Sequence, residues 1–179
     1  MSESVEKHRE ASPKKIRVAV LTISDTRTPE TDTGGDVIFE LMQEAGQEIS
    51  RREIVRDDAS RIEEVIQRLL EDENVDAVVT TGGTGISARD TTYEVVSRVI
   101  DKKLDGFGEL FRMLSYKEVG AAAMLSRAVA GSATTATGAK FVVCLPGSTN
   151  AVRLAMEKLL VPEMPHVVFE LRKHRTEVT

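Results

Sequence analysis

An α/β fold, a three-layer α/β/α sandwich around a mostly parallel sheet, is predicted by three features of this chain. Apolar runs with little alternation, at 16–23, 75–79 and 139–145, read as strands buried on both faces. Between them lie apolar residues at helical spacing, Val37, Ile38, Leu41, Met42 and Ala45 in one stretch and Ile62, Val65, Ile66, Leu69 and Leu70 in another. The runs end in polar or glycine-rich loops that lead into helix starts.

The elements follow in order. The first strand, 16–23, enters the polar loop 24–35, in which Asp32 is placed to cap the first helix and Gly46 to stop it. The second strand, 48–56, alternates weakly and reads as an edge. Asp57 and Asp58 follow, and Ser60 with Glu63 makes a capping box for the second helix. The third strand runs into Thr80-Thr81-Gly82-Gly83-Thr84-Gly85-Ile86-Ser87-Ala88-Arg89-Asp90, and Thr91 with Glu94 makes a second box before a helix over 93–100. A further helix reaches about Glu118, and the alanine-rich 120–126 reads as a short one. Residues 128–136 and 139–145 read as an antiparallel hairpin turned by Thr137-Gly138, which makes the sheet mixed. Pro146-Gly147-Ser148-Thr149-Asn150 then opens a helix, and Pro162 and Pro165 punctuate it before a last helix through Leu171.

The chain has 179 residues, the size of one domain with a full core. Residues 1–14 read as a mobile charged tail and 15–179 as a single domain. A net charge of −5 argues against a broad nucleic-acid surface. No apolar run reaches transmembrane length, and the charged first residues lack the apolar core of a secretory signal, so a cytoplasmic protein with no membrane partner is expected. Cys144 is the single cysteine, which forbids an intrachain disulfide. Its apolar strand marks it as a buried thiol rather than a nucleophile. His8, His166 and His174 form no zinc-ligand pattern, and no Gly-x-Ser-x-Gly elbow supports a serine hydrolase.

Right-handed crossovers bring the loops at the carboxyl ends of the strands to one side. Ser24-Asp25, Gly82 to Asp90, and Pro146 to Asn150 then converge, with Asp57 beside them. Glycines ahead of a helix N-terminus let backbone amides face an anion. The loop is neither a Walker A loop nor a dinucleotide fingerprint, and a plain tight turn is the rival reading. Carboxylates repel a phosphate unless a divalent cation lies between them, so the acids with the amides suit Mg–nucleotide chemistry. Asp57 and Asp90 also each precede a helix, and on spacing alone the reading as helix caps is favoured.

Ile23-Ser24-Asp25, Thr80 to Gly85 with Arg89-Asp90, Gly106-Phe107-Gly108-Glu109, Leu125-Ser126-Arg127 and Leu145-Pro146-Gly147-Ser148 occur together in this order. The set resembles the MoaB/MogA molybdopterin adenylyltransferase family of molybdenum cofactor biosynthesis. Phe111-Arg112-Met113-Leu114 and Pro146-Gly147-Ser148-Thr149 are similar to the MoaB branch. The resemblance implies adenylylation of molybdopterin by Mg–ATP, with Asp57 and Asp90 as catalytic and Mg²⁺-binding residues. It implies a nucleotide pocket of Gly82, Gly83, Thr84, Gly85, Pro146, Gly147 and Ser148, with Ser24 and Asp25 on the pterin side. It further implies a homo-oligomer, trimer or hexamer, and contact with other molybdenum cofactor enzymes. The branch includes members without this activity, so a non-catalytic molybdopterin-binding or assembly protein is the alternative. Tyr93 and Asp105 stand where relatives often carry proline.

Overall fold

Helices on both faces of one six-stranded sheet make up the computed structural model, which describes residues 12–173. The strands are β1 (Arg17–Ile23), β2 (Glu48–Val55), β3 (Ala77–Thr81), β4 (Lys102–Lys103), β5 (Val129–Thr135) and β6 (Gly138–Leu145). Their spatial order is β2-β1-β3-β6-β5-β4. The first four neighbours pair in parallel, while β5 runs antiparallel to β6 and to β4. The expected three-layer sandwich and hairpin are therefore present. The two-residue strand β4 has no hydrophobic pattern to announce it; its lysines close the sheet edge against Gly131 and Ser132.

The helices are α1 (Thr33–Glu44), α2 (Ala59–Glu71), α3 (Thr92–Val99), α4 (Asp105–Val119), α5 (Thr149–Ala155) and α6 (Val161–Arg172), with a 3₁₀ turn at Gly120–Leu125. Successive residues of β1 point to opposite faces. Val18 and Val20 pack with Ile38 and Met42 of α1, Phe111 of α4 and Met164 of α6. Ala19, Leu21 and Ile23 pack with Ile62, Ile66 and Leu69 of α2 and Val95 and Val96 of α3. Two separate cores explain why β1 reads as a continuous apolar run. Cutting a buried leucine or isoleucine here to alanine costs about 2–5 kcal/mol. Cys144 sits in the second core, and burial pushes its thiol up to about 12, which leaves it inert at neutral pH.

Local chemistry sets the helix ends. Asp32 caps α1, its carboxylate accepting from the Gly35 N–H at 3.0 Å. The helix stops at Gly46, with φ +73°, where the Gly46 and Gln47 amides donate to Gln43 and Met42. Neither predicted capping box forms. Asp58 caps α2 by accepting from the Arg61 N–H at 2.9 Å, and Ser60 lies inside the helix. Thr91 precedes α3 without a side-chain cap, because its hydroxyl and N–H turn to Asp57 while Glu94 pairs with Arg127.

The expected break at Pro162 and Pro165 is also corrected. α5 continues through a π turn at Met156–Leu160 directly into α6. A proline ring collides with the carbonyl four residues earlier, which for Pro162 is Lys158. Lys158 lies in the wider π turn, which makes room for the ring. The tail expected at 1–14 falls mostly, and His8 and His174 fall wholly, outside the described residues.

Candidate functional site

Three connections tie the loops at the carboxyl ends of the parallel strands together. The Gly82 N–H donates to the Leu145 carbonyl at 3.2 Å, and the Thr81 hydroxyl donates to the Pro146 carbonyl at 2.9 Å. Arg89 bridges to Asp25 at 2.5 Å, which joins the glycine loop to the loop after β1. Asp57 accepts from the Thr91 N–H and hydroxyl at 3.4 and 3.3 Å. The predicted convergence of these four segments is thus observed.

Gly83 is the pivot. Its φ is +62°, and a Cβ there would stand 2.2 Å from Thr92 Oγ1 and 2.6 Å from Asp57 Oδ2. Only glycine lets the loop approach both groups. Asp90 accepts from the Ser87 N–H at 3.1 Å, and its Oδ2 would meet a Cβ on Gly85 at 2.6 Å. Both acids therefore lie against glycines of the loop. Asp58 takes the capping role at α2, which leaves the Asp57 carboxylate turned to Thr91 and Gly83.

Burial raises the pKa of Asp57 above the ordinary aspartate value, and the nearby charges of Asp90 and Asp25 raise it further. The hydrogen bonds from Thr91 oppose the shift without cancelling it. No cation is paired with Asp57 in the ion pairs of the described residues. Thr92 Oγ1 is buried with no hydrogen-bond partner beside it.

Two clefts open next to this cluster. One, of about 210 Å³, is lined by Thr22, Ser24, Asp32, Gly82, Gly83 and Gly147 among others. The second, of about 620 Å³, lies between Ser24, Asp25 and Thr28 on one side and Arg52, Ile54 and Arg56 on the other. Arg27 and Ser24 border both. Of the predicted residues, Ser24, Asp25, Gly82, Gly83 and Gly147 line these clefts. Thr84 is buried at 6% exposure, Pro146 receives Thr81, and Ser148 caps α5 by accepting from the Ala151 N–H at 3.3 Å.

The arginines of the larger cleft escaped sequence reasoning. Arg52 and Ile54 of β2 and Arg56 just after it recur with period two, a signal that places them on one side. Arg52 itself is held by Asp32 at 3.0 Å and Asp36 at 2.7 Å. His166 bonds Glu163 at 3.1 Å on α6 and takes no part in the cluster.

Among the described residues no group of three or more acidic, histidine or cysteine side chains forms a metal cage. Mg²⁺ does not need one, since it takes one or two carboxylates and keeps water and phosphate oxygens. Asp57, which has no cation partner, and Asp90 fit that requirement, and the unpartnered Thr92 hydroxyl lies with Asp57 against Gly83.

A mostly parallel sheet with helices on both faces, and loops gathered at the carboxyl ends of its strands, defines the class of doubly wound α/β domain. This chain belongs to the family whose model is described as "Probable molybdopterin binding domain", which matches residues 19–166. The molybdenum cofactor biosynthesis protein B of Bacillus cereus is 50% identical over 171 residues, 95% of this chain and 99% of that protein. A crystal structure of a molybdenum cofactor biosynthesis protein B, 50% identical, superposes with a TM-score of 0.85 over 90% of this chain and 99% of the other. The tungsten cofactor synthesizing protein MoaB from Pyrococcus furiosus, 38% identical, superposes at 0.78 over 90% and 99%. The chain is thus a molybdenum cofactor biosynthesis family protein. Among the described residues no helix is long and apolar enough to cross a membrane.

Proposed function

We propose that this protein transfers AMP from Mg–ATP to the terminal phosphate of molybdopterin. A phosphate oxygen of molybdopterin attacks the α-phosphorus of ATP, the bond from that phosphorus to the bridging oxygen breaks, and pyrophosphate leaves. The observation that carries the reading is Asp57, an aspartate packed on the glycine loop with its charge unmatched. A structural carboxylate is normally paired; one left uncompensated beside an amide loop suits a site completed by a cation–phosphate complex.

The attacking oxygen is already ionised, so no strong general base is required. The task is to bring two anions together, which is a matter of position and charge. Gly82, Gly83, Thr84 and Gly85 present the loop at the N-terminus of α3, and Pro146, Gly147 and Ser148 close the other side of the nucleotide. Ser24 and Asp25 face the pterin. Asp57 and Asp90 would hold Mg²⁺, which when bound offsets phosphate charge and polarises the phosphorus under attack.

The assembly is a homo-oligomer, a trimer or paired trimers. On α4 and the turn after it Leu110, Met113, Tyr116, Val119, Met124 and Leu125 are all exposed, a patch suited to a second subunit. Phe107 contributes little to it, since it packs on the core and stacks with Phe111, centroids 6.3 Å apart. A solution mass near 19.6 kDa would overturn the oligomer.

Single-turnover formation of adenylylated molybdopterin from molybdopterin and Mg–ATP tests the reaction, with an Asp57→Ala, Asp90→Asn double variant alongside. Product from the native protein alone is expected. Molybdopterin binding without product from either protein would assign the chain to binding or assembly instead.

A further inference from the structure

Arg127 belongs to neither cleft, yet it makes the most directed contacts of any side chain near the glycine loop. It follows the 3₁₀ turn and precedes β5. Its Nε donates to the Thr84 carbonyl at 2.8 Å. Its two terminal nitrogens donate to the Glu94 carboxylate at 2.5 and 3.0 Å, and its guanidinium lies 4.7 Å from the centre of the Tyr93 ring. The carboxylate and the ring, both on α3, fix the plane of the fork.

The bond to Thr84 has a geometric consequence. The peptide joining Thr84 to Gly85 is planar and trans, so its carbonyl and the Gly85 N–H point in opposite directions. With the carbonyl held on Arg127, that N–H is turned to the other side of the loop. Glycine at 85 sets little intrinsic barrier to a rotation of this peptide plane. The charge of Arg127 is matched by Glu94, so its part is orientation rather than attraction of an anion.

We infer that Arg127 is the positioning residue that aims the Gly85 amide of the glycine loop at the nucleotide phosphates, with Glu94 and Tyr93 holding it in place. The inference rests on the adenylyl-transfer reading and adds a residue to it. Arg127→Lys keeps the charge but lacks the fork, and cannot serve Thr84 and both Glu94 oxygens at once.

The full-length protein is assayed with Mg–ATP and molybdopterin, and Mg–AMPCPP is titrated calorimetrically to read nucleotide binding without turnover. Arg127→Lys is expected to weaken Mg–AMPCPP binding and raise KM for ATP about tenfold, the size of a lost charge-assisted hydrogen-bond set. The KM for molybdopterin stays near wild type, while the melting temperature falls by a few degrees, since the bonds to Thr84 and Glu94 are already made in the free protein. A purely structural role would lower the melting temperature while moving both KM values together or neither, which would overturn the inference. Glu94→Gln gives a smaller change in the same direction, and carries the test if Arg127→Lys fails to fold. Wild-type binding of Mg–AMPCPP with equal binding by both variants overturns the inference and leaves the reaction standing. A wild-type protein that neither binds Mg–AMPCPP nor turns over ATP overturns both.

Discussion

Two aspartates at opposite ends of the sheet shift in opposite directions. Asp76, just before β3, accepts from the Arg17 N–H at 2.8 Å and pairs with the Arg17 and Arg172 guanidinium groups. Burial alone would raise its pKa, but the Arg17 hydrogen bonds and then Arg172 outweigh it and hold the carboxyl below the ordinary range. Asp57, on the carboxyl side, is more open than Asp76 yet shifts upward, because burial acts on it without a cation to answer. The amino-terminal edge is an electrostatically finished structure. The carboxyl-terminal edge leaves Asp57 without a cation partner, and a perturbed group in such a place marks a candidate site.

The largest expected effect breaks that comparison at Asp57. Asp57→Asn should lower adenylylation about a hundredfold or more, by removing transition-state charge stabilisation. Its thermal stability should be unchanged or higher. A carboxyl whose folded pKa lies above its unfolded value weakens the fold at neutral pH, and that penalty is relieved as pH falls from the folded pKa to the unfolded one. Near-normal turnover in Asp57→Asn or in Asp90→Asn would sink the catalytic assignment.

Asp76→Asn should do the reverse. Breaking a fully buried pair costs about 3–5 kcal/mol, but both arginines are a third or more exposed, so about 2–3 kcal/mol is expected in urea unfolding. Turnover per folded molecule should hold. The stability contributed by Asp76 is present above its unfolded pKa and is lost as pH falls through its lowered folded pKa. The variant should therefore show a flatter loss of stability in acid, and an unchanged acid titration would contradict the pairing.

A third contrast uses two left-handed glycines. Gly83→Ala meets Thr92 and Asp57 and should cost about 2–3 kcal/mol with loss of activity, whereas Gly46→Ala, with nothing within 4 Å, should cost about 1 kcal/mol and leave activity intact. The last effect is from Mg²⁺ itself. At ten times its Kd it should stabilise the wild type by about 1.4 kcal/mol, and Asp57→Asn should lose this in thermal unfolding. An equal gain in the variant would place the ion elsewhere.

Much of this was legible in the chain. The doubly buried strands, the hairpin and the meeting of the Ser24, Gly82 and Pro146 loops follow from apolar runs and glycine punctuation, which are local signals. Which of Asp57 and Asp58 caps α2 was not, since the two are adjacent and chemically alike and only the backbone decides which one turns to its helix. The capping box at Thr91 failed for a related reason: Asp57, 34 residues away, outcompeted the local partner. Arg127 was visible only as part of a motif, because its role is defined by Thr84 and Glu94 across the fold. The helix through Pro162 was hidden because the π turn that accommodates the ring has no propensity signature.

Asp76 also fixes where the polypeptide comes and goes. Arg17, which starts β1, and Arg172, which ends α6, bind the same carboxylate on the side remote from the glycine loop. A domain whose entrance and exit share one anchor behaves as a module. Joining the chain near residues 17 and 172, or inserting the domain there into a longer polypeptide, is expected to leave the geometry around Asp57 undisturbed.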